Sequence, residues 1–473
     1  MSDQTTDHAI VLGGSIAGLL AARVLAETYR QVTVMDRDEL APDVQPRRGA
    51  PQGRHIHALL ARGQQVLEQL FPGLTAELVA SGAPIGDALG NARLLFGGHR
   101  LARTEAGLVA VSASRPLLED RIRARARALP GVAFAPPADA VGLQSSPDRR
   151  RVTGVRLLRR ADGSADEVLH ADLVVDATGR ASRAPAWLEP LGFNPPAEEQ
   201  VRVDVGYATR RYRLPPDALD GDLACVHGPP PDGPRGGALA RLEGDVWMLT
   251  LCGLVGDHPP VDLQGFDAFA RSLRFPDIHD ALRAGEPIDD PAPFRFPANV
   301  RRRYERMGHF PEGFVVLGDA VCSFNPIYGQ GMTVAALQAM ALRHCLNHGH
   351  QRLAHRFFSA AANAIDHAWN MATGADLALP DVQGPRSLQV RLTNAYISRL
   401  LAVAAHDPVV AAAFTRVAGM VETPAHLLHP TLALRVLRPH AQPSDSARWR
   451  ADPADQQPSA TSDQSQPCRQ QVP

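Results

Sequence analysis

The residues with the clearest chemistry lie close to the N-terminus. The apolar run His8-Ala-Ile-Val-Leu12 enters Gly13-Gly-Ser-Ile-Ala-Gly18, an Ala- and Leu-rich stretch covers Leu19 to Thr28, and Gln31-Val-Thr-Val-Met-Asp36 ends on an acid. Strand, glycine turn, helix and second strand in that order build a phosphate cradle. The first glycine makes the bend, a small residue lets the backbone approach a pyrophosphate, and the last glycine lets helix and strand pack closely. The helix N-terminus then presents free N–H groups and a positive dipole end. Ser15 replaces the middle glycine and is small enough to keep the approach. Asp36, 23 residues after Gly13, stands where an acid accepts from a ribose hydroxyl. An unliganded strand–turn–helix is the alternative; turn, acid and spacing together favour a dinucleotide contacted by Gly13, Gly14, Ser15, Ala17, Gly18 and Asp36.

A second constellation follows about 300 residues later. Gly313-Phe-Val-Val-Leu-Gly-Asp319-Ala320 reads as a strand ending on an acid, and Pro326-Ile-Tyr-Gly-Gln-Gly-Met332 as a loop that opens a helix to about Leu346. Between them lies Asp176-Ala-Thr-Gly-Arg-Ala-Ser182. In this combination the chain resembles the flavoprotein monooxygenases of the para-hydroxybenzoate-hydroxylase fold. The resemblance implies FAD. Asp319 would accept from ribityl or ribose hydroxyls. The backbone from Pro326 through Gly329, Gln330, Gly331 and Met332 would aim N–H groups at the flavin N1–C2=O edge, which gains negative charge on reduction. Arg115 matches the family's flavin-contacting arginine. In the middle motif Thr178 stands where the family has Asp, while Gly179, Ser182 and Arg183 fit. The motif therefore serves either NAD(P)H docking or a turn near the adenine.

Arg48-Gly-Ala-Pro-Gln-Gly-Arg-His-Ile-His57, with Asp36-Arg37 ahead of it, Asn325 to Met332 and Asp366-His-Ala-Trp369 resemble one branch of the family, the flavin epoxidases of polyether-antibiotic biosynthesis. That resemblance adds Arg37, Arg48, Arg54 and His55 to the cofactor contacts and covers about residues 8–440. It implies oxygen transfer from reduced flavin and O2 to an apolar natural-product intermediate (a polyene, polyketide, terpenoid or aromatic). Alkene epoxidation leads, because no residue nominates itself as the base that phenol hydroxylation needs. Aromatic hydroxylation and prenyl-chain reduction are the enzymatic alternatives, and a flavin-binding regulator the non-enzymatic one. Electrons would come from NAD(P)H or a separate flavin reductase. A halogenase of this fold needs a lysine, and the chain has none.

These residues require elements to hold them. The fold expected is α/β: a discontinuous Rossmann-like FAD-binding domain (1–80, 110–195 and 300–350), an inserted, mostly antiparallel substrate sheet (81–109 and 196–299), a helical C-terminal region (351–440) and a disordered tail (441–473). The sheet is read from alternating runs such as Val201 to Tyr207 and Asp245 to Thr250. Hairpin residues occur at Ala161-Asp-Gly-Ser164, a Pro-rich loop at Pro229-Pro-Pro231, and a helix stop at Pro72-Gly73. Composition narrows the chemistry further. All 49 basic residues are Arg and the net charge is −1, which removes lysine Schiff-base and Walker-type chemistry and the electrostatic case for nucleic acid. The start Met-Ser-Asp-Gln lacks a signal-peptide pattern, Ile397 to Ala418 is too interrupted to span a bilayer, and five cysteines show no CxxC pair; the expected setting is cytoplasmic and reducing. His55 and His57 share no helix face and lack a third ligand, so no metal is expected. Arg301-Arg-Arg303 reads as a solvated charge run, Cys322 as a buried structural thiol, and Phe294, Phe296 and Trp247 as core.

Overall fold

The computed structural model describes residues 7–40, 44–159, 167–229 and 233–438, and residues up to Val436 form one unit. The hairpin turn at 161–164, the prolines at 230–231 and the tail at 441–473 lie outside the described residues.

Five parallel strands make the first sheet, in the order Phe314–Val316, Leu173–Asp176, His8–Leu12, Gln31–Met35 and Val132–Phe134. They read as unbroken apolar runs because both faces are covered: Ile10, Val11, Val34, Val174 and Val315 have no exposed surface. Helices Ile16–Leu25 and Gly331–Asn347 pack side by side on this sheet. Three of its strands therefore deliver the three motifs to one edge, at their C-terminal ends, where ligands of open α/β sheets bind. An antiparallel three-stranded sheet (Ala138–Ser145, Val152–Arg159, Glu167–His170) leads from Val132–Phe134 into the second motif strand, Leu173–Asp176.

The larger sheet has nine strands and is mostly antiparallel, with one parallel pair between Ala92–Phe96 and Ala224–His227. Its period-two alternation sorts two faces. Leu239, Leu249, Leu251 and Cys225 point to the outer face, into a cluster with Phe266 and Phe269 of helix Leu263–Arg271. Tyr207, Thr250, Met248, Ala238, Ala240, Val226 and Leu94 point inward and line a cavity. Helices Leu388–Ala404 and Pro408–Ala418 close that side, with Ser387 and Asp407 capping their first turns. The Phe96 and Phe414 rings meet at 6.0 Å, and Ala102 donates to the Ala404 carbonyl at 2.8 Å, so sheet and helices are joined at the far end.

One local expectation holds and one changes. The helix stops at Leu70, ahead of Pro72-Gly73, and another starts at Leu74 with Gly73 at φ 85 between them. Arg301 and Arg303 are not a solvated run. Arg301 is 1% exposed and bonds Asp366 at 2.5 Å and Glu305 at 3.1 Å; Arg303 pairs with Glu199 and Glu305. Three acids brought from separate elements neutralise that buried pair.

Candidate active site

The first motif adopts the cradle. Gly13 has φ +102, and a Cβ there would lie 2.5 Å from the Ala177 carbonyl oxygen; a Cβ on Gly18 would lie 1.8 Å from the Gly13 carbonyl oxygen. Neither position accommodates a side chain, for two different reasons, conformation and contact. Asp36 accepts from the backbone N–H groups of Gly14 (2.7 Å) and Asp38 (2.9 Å), which fixes the acid beside the turn. Ser15 precedes the helix but does not cap it. Its hydroxyl donates to Glu119 at 2.8 Å.

Glu119 is a residue that sequence reasoning missed. It sits one turn beyond Arg115 on helix Arg115–Arg127, is 4% exposed, and gathers Arg47 (Nε 3.0 Å), Arg115 (3.2 Å) and Arg123 (2.9 Å). Burial pushes its pKa up, but the charges of Arg115 and Arg47 and the bonds from Ser15 and Arg47 overcome that and hold it down to about 2. Arg115 also donates to the Ser15 hydroxyl at 3.1 Å, so this cation stands at the mouth of the cradle. The i,i+4 spacing of Arg115 and Glu119 was visible; that Arg47 and Ser15 close on the same carboxylate was not.

The other motifs converge on the same cavity. Asp319, at the end of the third motif strand, lines it and makes no hydrogen bond to any described residue; burial raises its pKa against the opposing charges of Arg115 and Arg180. Pro326, Gly329, Gln330, Gly331 and Met332 also line the wall, and helix Gly331–Asn347 starts there. Gln330 is 2% exposed with its side-chain carbonyl unpartnered among the described residues. In the middle motif, Asp176 does not face a ligand: it is fully buried and accepts from Thr178 N (2.9 Å), Thr178 Oγ1 (2.6 Å) and Ser182 Oγ (2.6 Å). Gly179 and Arg180 are left on the wall, with Arg180 stacked 4.4 Å over Phe296.

A second unforeseen anchor lies behind the loop. Asp376, fully buried at the end of helix Leu353–Asp376, accepts from Asn299 Nδ2 (2.7 Å), Asn325 Nδ2 (2.8 Å) and Tyr328 OH (2.8 Å). The loop is thus tied to the large sheet and to the helical region through one carboxylate, whose pKa burial raises despite those bonds. No motif spacing connects residues 299, 325 and 376.

Most of the expected contacts fall on the cavity wall: Gly13, Ser15, Ala17, Asp36, Arg37, His55 and Arg115 join those above, while Gly14 and Gly18 are packed behind the turn. Arg48 and Arg54 do not; both are exposed and outside the wall, and Arg47 is the neighbour that turns inward. His55 bonds Thr209 at 2.7 Å beside Tyr207 and Phe294; burial and the Arg54 charge lower its pKa to about 4, and burial with the Arg115 charge lowers that of His57 to about 3. Phe296 belongs to the buried core and Phe294 packs against it, as expected, and both also line the cavity; Trp247 is core. Cys322 is buried, and burial raises its pKa well above the ordinary thiol value. Among the described residues there is no metal-binding cluster, and no helix is long and apolar enough to cross a membrane.

The cavity measures about 1380 Å³ and runs without interruption from the cradle to the inner face of the large sheet. Its first half fits FAD: an orphaned carboxylate at Asp319 for hydroxyls, a glycine turn at a helix N-terminus for the pyrophosphate, and a second helix start for the ring edge.

Comparison with known proteins agrees with this layout. The chain is 37% identical over 425 residues to Protein Rv3254 of Mycobacterium tuberculosis, spanning 87% of this chain and 89% of that protein. The chain belongs to the family of Protein Rv3254. It is also 28% identical to kynurenine 3-monooxygenase of Salinispora arenicola, over 84% of each chain. No family model matches. Among solved structures, the flavin-dependent halogenase CmlS superposes with a TM-score of 0.63 at 18% identity, covering 86% of this chain and 74% of that one. The p-nitrophenol 4-monooxygenase PnpA of Pseudomonas putida gives 0.61 at 16% identity, covering 88% and 97%. The fold of this Rv3254-family chain is thus that of the flavin-dependent monooxygenases and halogenases.

Proposed function

We propose that this protein is an FAD-dependent monooxygenase that places one atom of O2 on a small apolar substrate, with hydroxylation of an aromatic ring favoured over alkene epoxidation. One observation carries the reading: the three motifs and an apolar chamber share a single cavity, so a flavin held by the first would face a substrate held by the second. Bound FAD would supply electron transfer to O2 and delivery of oxygen to the substrate. The chain would do the rest. Gly13, Ser15 and the start of helix Ile16–Leu25 bind phosphate, with Arg47 and Arg115 beside them. Asp319 holds the sugar or ribityl hydroxyls. The backbone at Gly329–Met332 orients the ring edge and stabilises negative charge there. The apolar wall excludes water.

Two features favour the aromatic reading. Two of these similar proteins are named for aromatic substrates, kynurenine and p-nitrophenol. And His55 lines the wall as a neutral imidazole at pH 7; in the tautomer that donates Nδ1–H to Thr209, its Nε2 would accept from a phenolic hydroxyl. Halogenation is disfavoured by the absence of lysine. Electrons come from NAD(P)H or a separate flavin reductase. The test is direct. Denaturation should release intact FAD, and reduced flavin with 18O2 should label a product, with NADH, NADPH and a reductase compared as donors. Flavin that reoxidises while the label never reaches a product would refute the proposal.

A further inference from the structure

The chamber beyond the flavin loops has a wall that specifies charge. The cationic side chains lining the cavity are Arg37, Arg47, Arg115, Arg180, Arg183 and Arg302, all on the cofactor loops or at the end of strand Ala292–Arg302. Where the large sheet faces helices Leu388–Ala404 and Pro408–Ala418, the lining is Leu94, Phe96, Met248, Ile397, Leu401 and Phe414, with no described cation. The acid on this side, Asp87, is saturated by the backbone N–H groups of Leu89, Gly90, Ala106 and Leu108. The polar wall residues Ser112, Asn394 and Thr415 donate to backbone carbonyls (Arg241, Gly374 and Ala411). Asn91, Asn370, Thr393 and Ser398 remain, all neutral, and His227 also lines the wall with both ring nitrogens unpartnered among the described residues and its pKa lowered by burial.

The register also gives the chamber a length. Met248, Ala240, Ala224 and Ala92 are direct cross-strand partners in four adjacent strands, all on the cavity face. At ~4.8 Å per strand this row is ~14 Å long, well beyond one aromatic ring, and its three alanines keep the floor low.

We infer that the substrate is uncharged and extended, with more than one ring or an equivalent apolar length, and that carboxylate and zwitterionic substrates are rejected. This rests on the proposed monooxygenase reading for what happens to the substrate, but not for its binding. The physical reason is desolvation. A carboxylate placed in this chamber would lose its water and find no guanidinium, whereas an amide or hydroxyl can bond Asn370 or Ser398.

The test uses two isosteric probes, biphenyl-4-carboxamide and biphenyl-4-carboxylate, titrated by calorimetry at pH 7 into the FAD-loaded protein, with flavin content read from absorbance in the same samples. The amide should bind at least about tenfold more tightly than the carboxylate. Ser398→Arg, which adds a cation to the wall, should narrow or reverse that ratio. Equal or tighter binding of the carboxylate to wild-type protein overturns the inference, as does no binding of either probe. Calorimetry does not depend on turnover or on flavin. Protein that takes up no FAD when FAD is supplied but still prefers the amide would remove the monooxygenase reading and leave the substrate class standing.

Discussion

Replacing Glu119 with glutamine tests the charge balance at the phosphate end. The amide keeps the shape and removes the charge shared by Arg47, Arg115 and Arg123. Removing one partner of a buried ion pair costs about 3–5 kcal/mol. The shift from 4.5 to about 2 gives a similar figure, on the order of 3 kcal/mol at neutral pH. The sign follows from the depressed pKa: the contribution is present above pH 4.5 and fades as pH falls toward about 2. FAD-free Glu119→Gln should therefore unfold at lower urea than wild type at pH 7, and the gap should narrow below pH 4.5. A pyrophosphate brings negative charge to the same guanidinium groups. FAD should then recover part of the loss, and by linkage the variant should bind FAD more tightly than wild type. Urea unfolding with and without saturating FAD, at pH 7 and pH 4, measures both. If the variant, folded by circular dichroism, matches wild type in FAD-free stability at pH 7 and in FAD affinity, the argument is wrong.

Gly13→Val meets the Ala177 carbonyl and a left-handed φ, together ~1–3 kcal/mol of strain; equilibrium dialysis should show FAD affinity at least about tenfold weaker. Asp319→Ala removes a charged acceptor worth ~1.5–3 kcal/mol and should weaken FAD about ten- to hundredfold by flavin fluorescence titration; unchanged affinity would remove Asp319 from the cofactor site. Asp376→Asn and Tyr328→Phe each unsettle the loop anchor; ~1–3 kcal/mol of stability should go, and more H2O2 should form per flavin reoxidised, while FAD affinity changes less than about threefold. Coupling equal to wild type in both variants would show that the anchor does not position the flavin edge.

The glycine turn and the Pro326–Met332 loop were legible in the sequence because each is local: a strand, a turn and a helix start within a few residues, where backbone geometry demands glycine. The α/β alternation, the antiparallel insertion and the helical end were legible for the same reason, since periodicity records which face each element buries. Charge pairing was not. Arg301 and Arg303 looked like a solvated run because Asp366 and Glu199 reach them only through the fold, and Arg48 and Arg54 were read as cofactor contacts where the loop turns Arg47 inward and those two out. Glu119 and Asp376 carried no motif, because a carboxylate that collects donors from positions 15 and 47 besides its own helix, or from 299, 325 and 328, has no spacing to read for those distant partners. The neutrality of the substrate chamber is of the same kind. Each strand and helix supplies only a few of its side chains, and only their assembly decides that no cation faces the space between them.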